Sequence, residues 1–314
     1  MKFLNKKTNI DFVGKRKIAF GLSMSLIVLS IVMLAVRGLN YGLDFTGGTL
    51  IEVSYPSAPV VSDVRAHLSD AGMTDSIVQT FGTPTDIVVR IPPRENKDES
   101  DAEISTAVLA ALQLGVEGEI VTRRVEFVGP QVGDELQEQG ILAVVYVLIG
   151  VFLYVMLRFQ WRFSVGAVVA LVHDIIITMG VLSATQIEFD LTVVAALLAV
   201  IGYSLNDTIV VFDRIRENFP RLRKSSSLEV VNASINQTLS RTLMTSSTTL
   251  IVLVALFIFG GEIIHAFAFT LIAGIVVGTY SSIYVASTAL LELGVSKYDL
   301  MAVEKEGVAL DQKP

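Results

Sequence analysis

Tyr203, Ser204, Asn206 and Asp207 are the residues whose types and spacing could do chemistry, and they stand where polar groups are least welcome. They fall within residues 191–212, an apolar run long enough to cross a bilayer as a helix. A carboxylate near the middle of a bilayer costs about 2.5–3.5 kcal/mol on insertion scales. Such a residue persists where it has a partner, a water-filled cavity or a role in moving charge. On a helix, Tyr203, Asn206 and Asp207 occupy i, i+3 and i+4 and share one face. That face is expected to meet other helices rather than lipid, which makes it a candidate proton or ion site.

Further polar groups lie in other apolar runs. His173 and Asp174 sit near the middle of residues 163–184. Neighbours on a helix point about 100° apart, so the two need not share a partner. A buried pair that fixes helix packing and a pair that relays protons both remain open. Thr245, Ser246, Thr248 and Thr249 lie at about the depth of Asp207 and could donate to it. Their hydroxyls could instead return to carbonyls one turn back. Gly274, Gly278 and Ser282 repeat at every fourth residue, a spacing that lets helices approach closely. Glu262 and His265 are expected at the outer interface, solvated. Two intramembrane aspartates also raise a protease reading, but the Gly-x-Gly-Asp context of such enzymes is missing. The chain has no cysteine, which excludes a thiolate nucleophile, a thiolate metal site and disulfides. No metal or cofactor site is expected.

Positioning these groups requires a polytopic helical membrane protein. Hydrophobic residues make up 52% of the chain, and apolar runs at 18–36, 141–157, 163–184, 191–212, 245–259 and 264–291 predict transmembrane helices. The first is too long for a signal-peptide core and is read as an uncleaved anchor. Lys15, Arg16 and Lys17 precede it, Arg158 and Arg162 separate the second and third runs, and Arg214, Arg216, Arg221, Arg223, Lys224 and Arg241 lie between the fourth and fifth. The opposite connections, 185–190 and 260–262, contain neither Lys nor Arg. The positive-inside rule therefore predicts cytoplasmic tails at 1–17 and 293–314, a cytoplasmic loop at 213–244, and an outer segment at 37–139.

Within that outer segment, residues 38–139 carry 17 acidic against 6 basic residues, which gives no support to nucleic-acid binding. Strand-like alternation at 49–55, 76–81, 86–91 and 121–128, with helical spacing at 60–71 and 101–114, predicts a βαββαβ order. This is a ferredoxin-like α+β domain without a catalytic constellation; His67 reads as a surface histidine. Asp44-Phe45-Thr46-Gly47-Gly48 reads as a turn rather than a phosphate cradle, because a strand follows its glycines. Gly129, Pro130 and Gly133 form a candidate hinge before the second transmembrane helix.

The motifs Gly42-Leu43-Asp44-Phe45-Thr46-Gly47-Gly48, Val125-Glu126-Phe127-Val128-Gly129-Pro130, His173-Asp174, Ile201-Gly202-Tyr203-Ser204-Leu205-Asn206-Asp207-Thr208 and Ser281-Ser282-Ile283-Tyr284-Val285-Ala286 resemble those of the SecD/SecF family of the bacterial Sec protein-export machinery. Residues 37–293 are covered by the resemblance. Asn206-Asp207-Thr208 stands where the SecD branch has Asp-Ala-Asn, and the outer segment lacks that branch's large extra domain, so the likeness is to the SecF branch. The resemblance implies six helices of RND type, paired with SecD, in the bacterial inner membrane. It implies association with SecYEG, YajC, YidC and a translocating unfolded polypeptide. It implies a non-enzymatic role in which protons, taken up at Asp207, drive export after the ATP-driven stage. A structural scaffold for the channel and half of an RND-type efflux transporter are the alternatives.

Overall fold

The computed structural model describes residues 8–93 and 101–296. The charged stretch at 94–100 and the outer parts of both expected tails lie outside them. Helix α1 (Arg16–Arg37) leads through a short strand β1 (Asn40–Tyr41) and a single turn α2 (Leu43–Thr46) into a small domain. The domain runs β2 (Gly48–Ser54), α3 (Val61–Asp70), β3 (Ile77–Phe81), β4 (Thr83–Ile91), α4 (Asp101–Gln113) and β5 (Val121–Val128). Then follow α5 (Pro130–Arg158), α6 (Trp161–Thr185), β6 (Glu188–Phe189), α7 (Leu191–Arg221), α8 (Ser227–Phe259) and α9 (Glu262–Glu292). Among the described residues, six helices (α1 and α5 to α9) are long and apolar enough to cross a membrane.

The small domain is the βαββαβ unit that the patterning predicts. Its four antiparallel strands lie in the order β3-β4-β2-β5, the ferredoxin-like arrangement. Val64 and Leu68 of α3, with Val108 and Leu112 of α4, cover Ile51, Val53, Ile87 and Val89 on one sheet face. Strand periodicity of two and helix periodicity of 3.6 place these residues inward. Tyr55 closes the core; its hydroxyl donates to the Leu112 carbonyl at 3.3 Å, and burial pushes its pKa up to about 12.

In the bundle, α9 packs against α6, α7 and α8, while α1 lies on α6 and α9. The small residues of α9 make its closest approach possible. A Cβ added at Gly274 would stand 2.2 Å from Val200 Cγ2, and one at Gly278 would stand 3.0 Å from Ser204 Cβ. The repeat of small residues therefore serves packing on α7 of the same chain. At the end of the bundle where α5 meets α6, the rings of Phe159, Phe163 and Phe212 fill the core, with Phe163 edge-on to Phe212 at 5.1 Å.

The helices run further than the apolar pattern alone indicates. Residues 213–244, expected as a loop, are helical except for the short connection 222–226. Buried apolar residues such as Ile215, Phe219, Val231 and Ile235 continue the helical spacing among polar neighbours, and Ser226 starts α8 with a capping box closed by Glu229. Helix α5 begins at Pro130, well before the apolar run at 141, with proline in the first helical turn, where its missing N–H costs nothing. The polar start of α8 also holds the N-terminal segment. Asn232 Oδ1 accepts from Phe12 N at 2.9 Å, and Asn236 Oδ1 accepts from Ile10 N at 2.8 Å.

Candidate intramembrane polar site

Two buried acidic centres occupy the bundle. The first is Asp174, 1% exposed. Ser204 of α7 and Ser281 of α9 both donate to its Oδ2, at 2.6 and 2.8 Å. Its Oδ1 is 2.9 Å from Nδ1 of His173, whose Nε2 lies 3.2 Å from Ser23 of α1. Asp174 thus joins α6, α7 and α9, and His173 extends the network to α1. The two neighbours do bond each other, although 100° separates their directions on the helix, because the His173 ring turns back toward the Asp174 carboxylate.

The second centre is Asp207, 3% exposed, between α7, α8 and α9. Its one hydroxyl contact among the described residues is Ser246 at 3.5 Å, the outer limit of a hydrogen bond. Ser246 is also 2.8 Å from Thr279 of α9. Arg241, one turn and a half earlier on α8, is near enough to act electrostatically on Asp207. The two aspartates therefore differ: Asp174 is closely held from three directions, whereas Asp207 is loosely held from one.

The remaining predicted residues divide between these centres. The buried stripe of α7 runs through Val200, Ser204, Asp207, Thr208 and Val211, at helical spacing. Ser204 lies on this stripe but serves Asp174 rather than Asp207. Asn206 does not join the buried face expected for it; it is exposed in this chain, because the stripe centres on Asp207 and Asn206 falls outside it. Tyr203 lies at the margin, with its hydroxyl 3.4 Å from Thr249 Oγ1. Thr245 and Thr248 return their protons to the Arg241 and Met244 carbonyls, one turn back. Of the four hydroxyls considered on α8, Ser246 alone reaches Asp207. Ser23, Ser281, Thr279 and Arg241 were missed in the sequence. Ser281 shares the face of Gly278 at i+3, a signal available there; Ser23 is one of three serines in its apolar run, and nothing in the sequence sets it apart.

The small domain is tied directly to α7. Strand β1 pairs in parallel with β6, just before α7 begins. Arg90 of β4 contacts Glu188 of β6 at 2.5 Å and donates to the Tyr41 carbonyl at 3.2 Å. Desolvation pushes the Glu188 carboxyl above its usual range, against the opposing pull of Arg90. Asp44 accepts from Leu191 N, the first residue of α7, at 3.0 Å. Gly47 and Gly48 both take positive φ, 66° and 112°, which glycine adopts without strain. A Cβ at Gly48 would meet the Ile91 carbonyl oxygen at 2.2 Å. Of the candidate hinge, Pro130 and Gly133 are helical, and a Cβ at Gly133 would stand 3.1 Å from the Phe45 carbonyl oxygen. Glycine at 133 permits close packing, which leaves Gly129 as the member of the trio outside the helix.

Six apolar helices, a ferredoxin-like domain after the first of them, and buried acidic residues in the third and fourth define a multi-pass membrane protein with an intramembrane acidic site. Residues 108–296 match the family described as protein export membrane protein SecD/SecF, C-terminal, and residues 32–55 match the SecD/SecF GG motif. The chain belongs to the SecD/SecF family. It is 52% identical to the protein translocase subunit SecF of Vibrio alginolyticus, over 100% of this chain and 99% of that one. The SecF subunit of Pseudomonas aeruginosa is 47% identical, over 97% of this chain and 98% of its own. These relatives are named as protein translocase subunits. The structure of SecDF, a translocon-associated membrane protein from Thermus thermophilus, superimposes with a TM-score of 0.81 at 36% identity, over 93% of this chain. SecDF in its super-membrane-facing form gives 0.67. This chain spans 39% of the SecDF chain.

Proposed function

We propose that the chain is the SecF half of a SecD–SecF unit that uses the proton gradient to complete protein translocation after the ATP-driven stage. In this reading it lies in the bacterial inner membrane with both termini in the cytoplasm. The domain at 37–139 faces outward, where it engages the emerging unfolded polypeptide. The unit works with the SecYEG channel and with YajC and YidC. The likeness to the SecF subunits and the charge asymmetry of the connections support this placement.

Asp207 carries the proposal. It is buried within a transmembrane helix, has a single hydroxyl contact among the described residues, and sits on the same helix whose first residue is bonded to the outer domain. Proton uptake and release there change how α7 packs against α8 and α9, and the clasp at Leu191 and Glu188 passes that change outward. Moving one charge through 100 mV yields about 2.3 kcal/mol, enough to bias a two-state equilibrium roughly fifty-fold.

Asp207→Asn keeps the shape and removes titration. In membrane vesicles it should leave abundance, SecD association and ATP-driven initiation intact, and abolish gradient-dependent completion. Normal gradient-dependent export at normal abundance would overturn the proposal.

A further inference from the structure

The hydroxyl that touches Asp207 has a second acceptor for its only proton. Thr279 Oγ1 lies 2.7 Å from the Ile275 carbonyl, one turn back on α9. A carbonyl only accepts, so the Thr279 proton points there and its oxygen is left as an acceptor toward Ser246. Ser246 is 2.8 Å from Thr279 Oγ1 and 3.5 Å from Asp207 Oδ2. Its one proton can serve Thr279 or Asp207, not both, and the shorter distance assigns it to Thr279. The Ser246 oxygen then turns lone pairs toward Asp207, and that contact is satisfied when Asp207 itself carries a proton.

We propose that Ser246 and Thr279 are positioning residues that report the protonation state of Asp207 to α8 and α9. This rests on the proton-uptake reading above. With Asp207 protonated, its O–H donates to Ser246, Ser246 donates to Thr279, and Thr279 donates to the Ile275 carbonyl. The chain of donors runs one way across three helices. When the proton leaves Oδ2 for water, Ser246 rotates about Cβ–Oγ and donates to the carboxylate. The α8–α9 bond is lost, and the α7–α8 bond is kept with its donor reversed. No covalent bond other than the acid O–H is made or broken. The other titratable groups nearby have bonds of their own: His173 and Asp174 on α6 bond each other, Tyr280 on α9 donates to the Ala19 carbonyl, and Tyr203 on α7 reaches Thr249. Arg241 on α8 acts on Asp207 through its charge and persists in either state.

The test is infrared difference spectroscopy of the full chain in complex with SecD, titrated with pH. A protonated-carboxyl C=O band that disappears in Asp207→Asn reports Asp207. In Ser246→Ala that band should shift to higher frequency and its midpoint pH should move. Ser246→Thr should restore both. Thr279→Val keeps shape and removes the acceptor; the band should remain titratable while gradient-driven export falls several-fold. An Asp207 band unaltered in frequency and midpoint by Ser246→Ala, or full export by Thr279→Val, would overturn the relay while leaving proton uptake standing. Absence of any band dependent on Asp207 would instead overturn the underlying reading, and the relay with it.

Discussion

The carboxylate of Asp44 accepts the backbone N–H of Leu191 at 3.0 Å, so the turn that opens the small domain also caps the helix that carries Asp207. The two aspartates are linked through one rigid element, with about 24 Å of helix between Leu191 and Asp207 at 1.5 Å per residue. Asp190 caps the same helix through Val193 N at 2.8 Å, so α7 keeps its N-terminus if Asp44 is lost. Asp44→Ala should therefore cost about 1 kcal/mol of stability, the usual scale for a capping bond, and leave the helix intact. Its larger effect should be on coupling. Spin labels at Ser57 in the domain and Ala195 on α7 should show a broader distance distribution in the variant. An unchanged distribution would show that Asp44 does not hold the domain to α7.

Glu188 gives this docking a pH dependence of definite sign. Its carboxyl is raised above the ordinary value of 4.5, chiefly by partial burial. Where docking raises an acid's pKa, the docked state binds protons more tightly than the undocked state. Docking should therefore strengthen as pH falls from the raised value toward 4.5, and weaken as pH rises through it. In the proposed orientation Glu188 faces the acidic side of the membrane. The same spin-label pair should show narrowing of its distance distribution in mild acid, and Glu188→Gln should remove that response. A response of opposite sign, with domains separating in mild acid, would mean that the Arg90 ion pair outweighs desolvation.

Gly274 supplies a test of packing. A methyl group added there would meet Val200 Cγ2 at 2.2 Å, too close for any ordinary contact. Overpacking of this kind costs about 1–3 kcal/mol. Gly274→Ala should lower thermal stability in detergent, and Val200→Ala should recover part of the loss, because it removes the methyl groups that collide. The double-mutant cycle should show coupling of about 0.5–3 kcal/mol. Additive effects of the two substitutions would place the glycine's role elsewhere.

Periodicity alone was enough to define the small domain's strand and helix order and the six apolar helices, because burial of one face imposes a repeat that sequence displays. It did not reveal the polar extensions of α7 and α8. Residues 213–244 lack a continuous apolar run; Ile215, Phe219, Val231 and Ile235 form a sparse buried stripe at helical spacing, and the Ser226 capping box starts α8. The buried aspartates were legible as residues out of place. Their partners were not, since hydroxyls on separate helices carry no mutual spacing in sequence. Ser204 illustrates the limit: three residues from Asp207, it is bonded to Asp174. Asn206 was placed on the inner face because i+3 and i+4 neighbours share a side, yet the centre of the buried stripe lies far enough toward Ser204 and Thr208 to leave Asn206 exposed.

The contrast between Asp174 and Asp207 offers a test that separates holding the bundle together from the proposed proton uptake. Asp174 receives hydroxyl donors from Ser204 at 2.6 Å and Ser281 at 2.8 Å and contacts His173 at 2.9 Å. A buried carboxylate so fully bonded fixes three helices in register, and removing it leaves several buried polar groups without an acceptor. Each buried group left unsatisfied costs about 1–3 kcal/mol. Asp174→Ala should therefore lower thermal stability and abundance more than any substitution at Asp207, while the molecules that do fold retain gradient-dependent export. Asp174→Asn keeps one acceptor oxygen and should be milder, and His173→Ala milder still, because it leaves both serines on Asp174. Asp207→Asn should show the reverse pattern, with stability near that of the unsubstituted protein and gradient-dependent export lost. Export normalised to folded protein, plotted against melting temperature, should thus place the two aspartates in opposite corners. Loss of normalised export in Asp174→Asn with unchanged melting temperature would assign Asp174 to the proton path itself, and His173 beside it would become its relay.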